Sequence, residues 1–345
     1  MSQPKVRVLI VGTGGVGTMA AYALESGGKA EVTAVMRSNY DAVVKNGIDI
    51  DSIEHGHDIK GWRPTAISKT IPNVAEQNIP PFDFILVTTK NIPDVSPTVA
   101  DLIAPAVTPG HTAIVLSQNG INIEKPIVPR FPTNPIISSV SYIGATETSH
   151  GRILHDDVDF QKIGAFDNPN VSSEVAADAA MRYIAAYNPA GKLDIIYEPD
   201  VRFVRWRKLV YNSSFNSVAA VLRMDTARMR MSRHVIDDLI RPVMLEIIAA
   251  ARANGVALAD DLAETVIKTD PTDTFFKPSM CQDVEKGNLM EIENIVGEPL
   301  REGAAHGVSM PTLTTIYSLL KGLQLKVKES RGMWEPKFEA DNPYQ

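Results

Sequence analysis

The sequence predicts an α/β fold: a doubly wound parallel sheet in the N-terminal part, followed by an all-α C-terminal domain. Short β-branched runs alternate with helical stretches in the first half of the chain. A glycine-rich turn follows the first of these runs, and after residue 200 apolar residues recur at helical spacing. The length of 345 residues and the 44% hydrophobic content fit two globular domains.

The predicted strands of the first domain are short and apolar with little alternation, which is typical of parallel strands buried on both faces. They cover residues 6–11, 31–36, 84–88, 112–116 and 135–142. A helix at 18–24, stopped by Gly27 and Gly28, joins the first two strands, and a second helix is predicted at 95–104.

The second domain is predicted from its helical periodicity. One apolar face comprises Ile236, Leu239, Ile240, Val243, Met244, Ile247 and Ile248, and another comprises Leu313, Ile316, Tyr317, Leu319, Leu320 and Leu323. Pro199 disfavours a continuous helix through the segment before residue 200. We therefore predict a sheet domain at 1–199, a helical domain at 200–330 and a polar, extended tail at 331–345.

Charge and cysteine content limit the class of protein. The chain has 34 Lys and Arg against 41 Asp and Glu, a net charge of −7, so it has no bulk attraction for nucleic acid or anionic lipid. Its single cysteine, Cys281, excludes an internal disulfide and suits a reducing compartment. No apolar run reaches the ~18 residues of a membrane span, and no signal peptide precedes the first strand. We expect a cytoplasmic protein without nucleic-acid or membrane partners.

The strongest functional motif is a GxGxxG loop that directly follows the first strand and opens a helix. In such loops the first glycine permits a tight turn, the second lets the backbone approach a pyrophosphate, and the third permits close packing of the helix. The helix N-terminus then attracts the anion. The alternative is a glycine turn without a ligand. The predicted Rossmann-like cofactor loop consists of Gly12, Thr13, Gly14, Gly15, Val16 and Gly17.

The residue that follows the second strand, Arg37, indicates which dinucleotide the glycine loop binds. NAD-selective sites place a carboxylate after the second strand, where it accepts hydrogen bonds from the ribose hydroxyls. Here Arg37 occupies that position, and no carboxylate follows before Asp41. A guanidinium pairs with a 2′-phosphate, so the predicted cofactor is NADP. The alternative is that Arg37 is an ordinary exposed arginine.

A polar stripe marks the first helix of the second domain. Lys208, Asn212 and Asn216 follow one another at intervals of four residues and lie within about 80° of each other on a helix. Such a stripe faces either water or a polar ligand. The residues between them favour a buried helix, and therefore the ligand; they are Trp206, Leu209, Val210, Phe215 and Val218.

With these motifs in order, the sequence resembles the ketopantoate reductase (2-dehydropantoate 2-reductase) family over nearly its whole length. The resemblance implies a 6-phosphogluconate-dehydrogenase-like pairing of a Rossmann-like domain with a helical one. It is carried by the glycine loop, Lys90 after Val-Thr-Thr, Gln-Asn-Gly at 118–120, RWxKLxxNxxxN at 205–216, and Ser279-Met-Cys-Gln-Asp followed by Gly287 and Glu291-Ile-Glu.

The resemblance implies NADPH-dependent reduction of a 2-keto acid at C2, giving (R)-pantoate for pantothenate biosynthesis. It assigns Lys208 as the general acid and Glu291 as the residue that orients this lysine and holds the substrate hydroxyl. The alternative for Glu291 is a solvated residue in the first turn of a helix. The resemblance also implies substrate contacts by Asn212, Asn216 and Ser279, cofactor and substrate contacts by Asn119, and a cofactor contact by Lys90.

Departures from the family pattern leave the substrate open. The family usually has Thr-Glu-Ile-Asp where this chain has Met290-Glu-Ile-Glu, and the chain is longer around 49–81 and at its C-terminus. A reductase of other 2-keto acids or prochiral ketones, similar to a D-2-hydroxyacid dehydrogenase, is one alternative, and a non-catalytic NADP-binding sensor is another. The helical domain is a candidate surface for a homodimer. His55-Gly-His57 has no accompanying ligands, so no metal site is predicted.

Overall fold

The structure is a computed structural model that describes residues 4–344. The chain divides into two compact units between Val204 and Arg205. The sequence-predicted boundary, at 199–200, lies just before this point. A parallel sheet with helices precedes the division and helices follow it, which confirms the predicted fold class.

The first unit is built on one mixed sheet. The strands are β1 (Val6–Val11), β2 (Ala30–Val35), β3 (Ile48–Ser52), β4 (Gly56–Trp62), β5 (Ala66–Ser68), β6 (Phe84–Val87), β7 (Ala113–Leu116), β8 (Ile136–Ser149), β9 (Arg152–Phe166) and β10 (Asp194–Tyr197). Their order in the sheet is β4-β3-β9-β8-β7-β6-β1-β2-β5, with β10 beside β9. Along this order, every pairing between β8 and β5 is parallel, whereas β8 and β9 form a long antiparallel pair.

Apolar layers cover both faces of this sheet. Val8 and Ile10 of β1 belong to one buried cluster, and Leu9 and Val11 belong to the other. Because successive side chains of a strand point to opposite faces, this confirms the prediction that β1 is buried on both sides. The helices of the unit are α1 (Gly15–Ser26), α2 (Tyr40–Asn46), α3 (Val99–Ile103), α4 (Ile127–Arg130) and α5 (Ser173–Tyr187).

The predicted helix at 95–104 is wrong in its extent. The α-helix begins only after Thr98, whose side chain accepts a hydrogen bond from the Asp101 backbone N–H, and it ends at Ile103. Pro97 restricts the residue before it to extended backbone, and Pro105 lies in a short 3₁₀ turn that follows the helix. The extra length at 49–81 contains β4 and β5 and most of β3.

Between residues 201 and 330 all regular secondary structure is helical. The pattern that begins at Ile236 is confirmed, since all its members except Leu239 are buried. Residues 331–344, the described part of the predicted tail, contain no helix or strand. The helices are α6 (Val201–Tyr211), α7 (Ser217–Leu222), α8 (Thr226–Met231), α9 (Arg233–Val235), α10 (Arg241–Ala253), α11 (Leu262–Ile267), α12 (Ser279–Glu285), α13 (Glu298–Ala305) and α14 (Pro311–Ser330).

Three π-helical turns interrupt this helical region. One at Asn212–Asn216 joins α6 to α7, one at Ile236–Ile240 joins α9 to α10, and one at Glu293–Gly297 precedes α13. The first packs against the other two. Within residues 4–344, no helix is both long and apolar enough to span a membrane.

Candidate active site

The glycine loop joins β1 to α1 by a turn that only small residues permit. Gly12 has a φ of +99°, and a Cβ there would lie 2.7 Å from the Thr89 backbone nitrogen. A Cβ on Gly17 would lie 1.9 Å from the carbonyl oxygen of Gly12. The loop therefore closes on itself so tightly that neither position has room for a side chain.

Gly14 differs from these two glycines because its side-chain direction is open. It is exposed, no heavy atom lies within 4 Å of the position that a Cβ would take, and its φ of −75° is allowed for any residue. It also precedes the first turn of α1, which has no side-chain cap and no acidic residue. Open space at an uncapped helix N-terminus fits the phosphates of a dinucleotide.

A buried side chain that the sequence analysis did not single out positions this loop. Asn39 donates from Nδ2 to the Thr13 carbonyl oxygen at 2.9 Å and to Glu147 Oε1 at 3.0 Å. The Thr13 hydroxyl donates to the Val35 carbonyl oxygen at 3.1 Å. The Thr13 side chain thus ties the loop to the end of β2. No local pattern marks Asn39, since its two partners lie far from it in sequence.

The other predicted cofactor residues follow neighbouring strands. Val11, Val87 and Leu116 lie side by side at the ends of β1, β6 and β7, so Lys90 and Asn119 leave the sheet at the same edge as the glycine loop. Lys90 is exposed and Asn119 is half-buried. In open parallel sheets this edge, where the strand order reverses beside β1, is where ligands bind.

In the helical region, the π turn keeps the polar stripe aligned. A π turn closes its hydrogen bonds over one more residue than an α turn, so each residue rotates less about the helix axis. Four residues then come closer to a whole turn, which places Asn212 and Asn216 on nearly the same face. Both are buried, with exposed fractions of 7% and 2%. The interleaved apolar residues are buried as predicted.

The Lys208 ammonium has a perturbed acidity. Its pKa is lowered to about 8, first by burial and second by the positive charge of Arg205, while the Glu291 carboxylate opposes the shift. Arg205 is itself buried, at the preceding turn of the same helix. A lysine with this pKa is largely protonated at neutral pH yet releases its proton more readily than an exposed lysine.

Glu291 is buried rather than solvated. It has an exposed fraction of 4% and lies just before the helical segment that contains the Glu293–Gly297 π turn. Glu293 has a different environment: it accepts hydrogen bonds from Tyr317 and Lys321, both at 2.9 Å, and from Arg301 at 3.0 Å. Glu293 therefore belongs to an ion-pair network, whereas Glu291 acts on the charge of Lys208.

The structure brings Asn216 and Ser279 together. Asn216 Oδ1 accepts the Met280 backbone N–H at 2.7 Å, and its Nδ2 donates to Ser279 Oγ at 3.3 Å. The amide of Asn216 therefore binds the first turn of α12 and fixes the position of Ser279. Its predicted contact with a substrate stays a prediction.

Two serines that the sequence analysis did not select hold the π turn in place. Ser213 donates to the Ile295 carbonyl oxygen at 2.6 Å, which links two of the π turns, and Ser214 donates to the Val210 carbonyl oxygen at 2.6 Å. Hydroxyls supply donors where the wider turn changes the regular bonding of the backbone. The Ser-Ser pair between the two asparagines is the sequence signal for this arrangement.

Within the described residues, no three His, Cys, Asp or Glu side chains are grouped as metal ligands. Cys281 is fully buried, and burial raises the pKa of its thiol. This environment suits a small packing residue and not a reactive thiolate.

Comparison with known proteins agrees with the two-part architecture. The family model described as "Ketopantoate reductase PanE/ApbA" matches residues 8–168, and the model of the C-terminal part of the same family matches residues 200–324. An uncharacterised protein of Saccharomyces cerevisiae is 35% identical, with 95% of this chain and 96% of the yeast protein covered.

Solved structures give the same result. The 2-dehydropantoate 2-reductase of Methylococcus capsulatus is 32% identical with a TM-score of 0.76, over 93% of this chain and 98% of that one. D-mandelate dehydrogenase with NADH and anilino(oxo)acetate has a TM-score of 0.78 at 17% identity, over 94% of this chain and 100% of that one. The second likeness shows the fold alone.

Proposed function

The chain belongs to the ketopantoate reductase family, and from this premise we propose that it reduces the C2 carbonyl of a 2-keto acid with NADPH. The first candidate substrate is ketopantoate, which gives (R)-pantoate. The observation that carries the proposal is Lys208, a half-buried lysine whose pKa is lowered to about 8 and whose charge a buried carboxylate, Glu291, stabilises. If the polar stripe that begins at Lys208 faced solvent, the lysine would need neither its burial nor the Glu291 carboxylate.

The first unit would hold the cofactor through the glycine loop, with Arg37, Lys90 and Asn119 at the same edge of the sheet. When bound, the nicotinamide supplies the hydride. The open space at Gly14 supports the placement of the pyrophosphate. Arg37 is exposed after β2, where its guanidinium is accessible to a 2′-phosphate, and this supports NADP over NAD.

Lys208 would donate a proton to the carbonyl oxygen as negative charge develops there. A positioned acid whose pKa lies near the working pH is the most effective donor. Glu291 would keep the ammonium charged and oriented, and would accept a hydrogen bond from a substrate hydroxyl. Asn212 and Asn216 would complete the polar lining with Ser279. A homodimer through the helical region remains a prediction.

The alternative within the same reaction class is a reductase of bulkier 2-keto acids. Met290, which is buried beside Glu291, takes the place of the threonine usual in the family, and this favours a pocket of different shape and polarity. A non-catalytic NADP sensor is disfavoured, because a sensor requires neither a proton donor nor its carboxylate partner.

A substrate panel tests the proposal directly. NADPH consumption is followed by absorbance with ketopantoate, 2-oxoisovalerate, pyruvate and phenylglyoxylate. We expect turnover, with the highest kcat/KM for ketopantoate. A higher value for another acid would assign the alternative reductase. Absence of turnover with every acid, together with intact NADPH binding, would leave only the sensor.

Arg37→Asp is expected to shift the cofactor preference from NADPH towards NADH. It removes one charge-assisted contact to the phosphate, so NADPH binding weakens by about 1.5 kcal/mol, roughly tenfold, and the NADH affinity changes little. Lys192→Asp is the control, because it makes the same change of charge at an exposed position just before β10. β10 pairs with β9, away from β2 and Arg37 in the sheet. An unchanged KM for NADPH in the Arg37 variant contradicts the assignment.

A further inference from the structure

A second cation lies next to Arg37 at the edge of the sheet. β5 runs parallel to β2 with Ser68 opposite Val35, and the Met36 backbone N–H donates to the Ser68 carbonyl oxygen at 2.9 Å. Arg37 and Lys69 are therefore the residues at which the chain leaves two neighbouring parallel strands. Both are exposed. Because the carboxyl ends of parallel strands meet at one edge, the two charges project from the same edge.

The Lys69 ammonium also engages the segment that follows Arg37. It lies 3.6 Å from Asp41 Oδ1 and 5.2 Å from the centre of the Tyr40 ring. Asp41 is the first carboxylate after β2, and in this region a carboxylate favours NAD and repels a 2′-phosphate. Lys69 thus offsets a nearby negative charge that opposes binding of NADP.

We propose that Lys69 is a second specificity residue of the cofactor site, which binds the 2′-phosphate together with Arg37 and screens it from Asp41. This inference rests on the proposed function, since it requires that NADP is the cofactor. It assigns a role to the segment at 49–81, because β5 brings Lys69 to the end of β2. The Lys69–Asp41 ion pair is well exposed, with side-chain fractions of 60% and 85%, and such pairs contribute little to stability. The ammonium can therefore turn from the carboxylate to a phosphate at small cost.

The test compares two ligands that differ only in the 2′-phosphate, adenosine 2′,5′-bisphosphate and adenosine 5′-monophosphate, by titration calorimetry. We expect Lys69→Ala to weaken binding of the bisphosphate by about tenfold, the usual effect of one charge-assisted contact, with the monophosphate unaffected. Lys69→Gln keeps most of the stem over Tyr40 and should behave like Lys69→Ala. Asp41→Asn removes the opposing charge and should strengthen bisphosphate binding. Lys45→Ala, at an exposed lysine in the last turn of α2, is the matched control.

The outcomes separate the two hypotheses. If the wild-type protein prefers the bisphosphate and the Lys69 variants keep the full preference, the role of Lys69 is overturned and the NADP assignment stands. If the wild-type protein shows no preference, both the NADP assignment and the role of Lys69 are overturned. Equal melting temperatures of the variants would establish that the loss of binding does not reflect unfolding.

Discussion

Lys208→Ala is expected to lower kcat by at least ~10², because a positioned general acid contributes ~10²–10⁴ in rate and its charge also stabilises the developing alkoxide. NADPH affinity should be nearly unchanged, since the glycine loop belongs to the other compact unit. The measurements are kcat, the Kd for NADPH and the melting temperature of a single variant. A packing lysine would instead lower the melting temperature, and an exposed lysine would change none of the three.

The pH profile tests the same residue independently. The acid must be protonated to act, so the rate of reduction should be constant at low pH and should fall as the pH rises through about 8, the lowered pKa of Lys208. Arg207→Ala, at the exposed neighbouring position of α6, is the control and should keep both the rate and the profile. Undiminished turnover in Lys208→Ala would show that another group donates the proton.

Gly14→Ala is expected to weaken cofactor binding without unfolding the protein. The methyl group would enter the open space at the start of α1 without contacting any protein atom, so the free energy of unfolding should change by less than about 1 kcal/mol. The same methyl group would keep a pyrophosphate away from the backbone. NADPH Kd should therefore rise at least ~10-fold, which is the loss of about one charge-assisted hydrogen bond.

Gly17→Ala is the matched variant for a structural effect. Its Cβ would lie 1.9 Å from the Gly12 carbonyl oxygen, so the loop must move and the protein should lose about 1–3 kcal/mol of stability or more. Calorimetric titration with NADPH and denaturant unfolding distinguish the two variants. Gly14→Ala should lose NADPH affinity and keep its stability, whereas Gly17→Ala should lose stability. Wild-type affinity for NADPH in Gly14→Ala would exclude the glycine loop as the pyrophosphate site.

Local sequence patterns were sufficient to predict the central strands and the long helices. A run such as Val6–Val11 is apolar at every position but one, and only a buried strand or helix accommodates it. β9 was not predicted, although it is the longest strand, because its charged residues give no uniform pattern. Its conformation depends on pairing with β8 and β3 across the sheet.

The candidate site shows the same limit. The positions of Lys208 and Asn212 on one helical face follow from their spacing, since a helix repeats over a few residues. The π turn, which depends on the packing of helices distant in sequence, was not predictable from that spacing. Likewise, nothing near Asn216 indicates that its amide binds the start of α12.

By itself, the sequence determined the fold class, the glycine loop and the residue types available for hydride-transfer chemistry, because each of these is written in neighbouring residues. The tertiary structure alone decided the acidity of Lys208, the burial of Glu291 and the approach of Lys69 to Asp41. Burial and charge interactions act over a few ångströms of space, and folding brings together groups that the sequence separates.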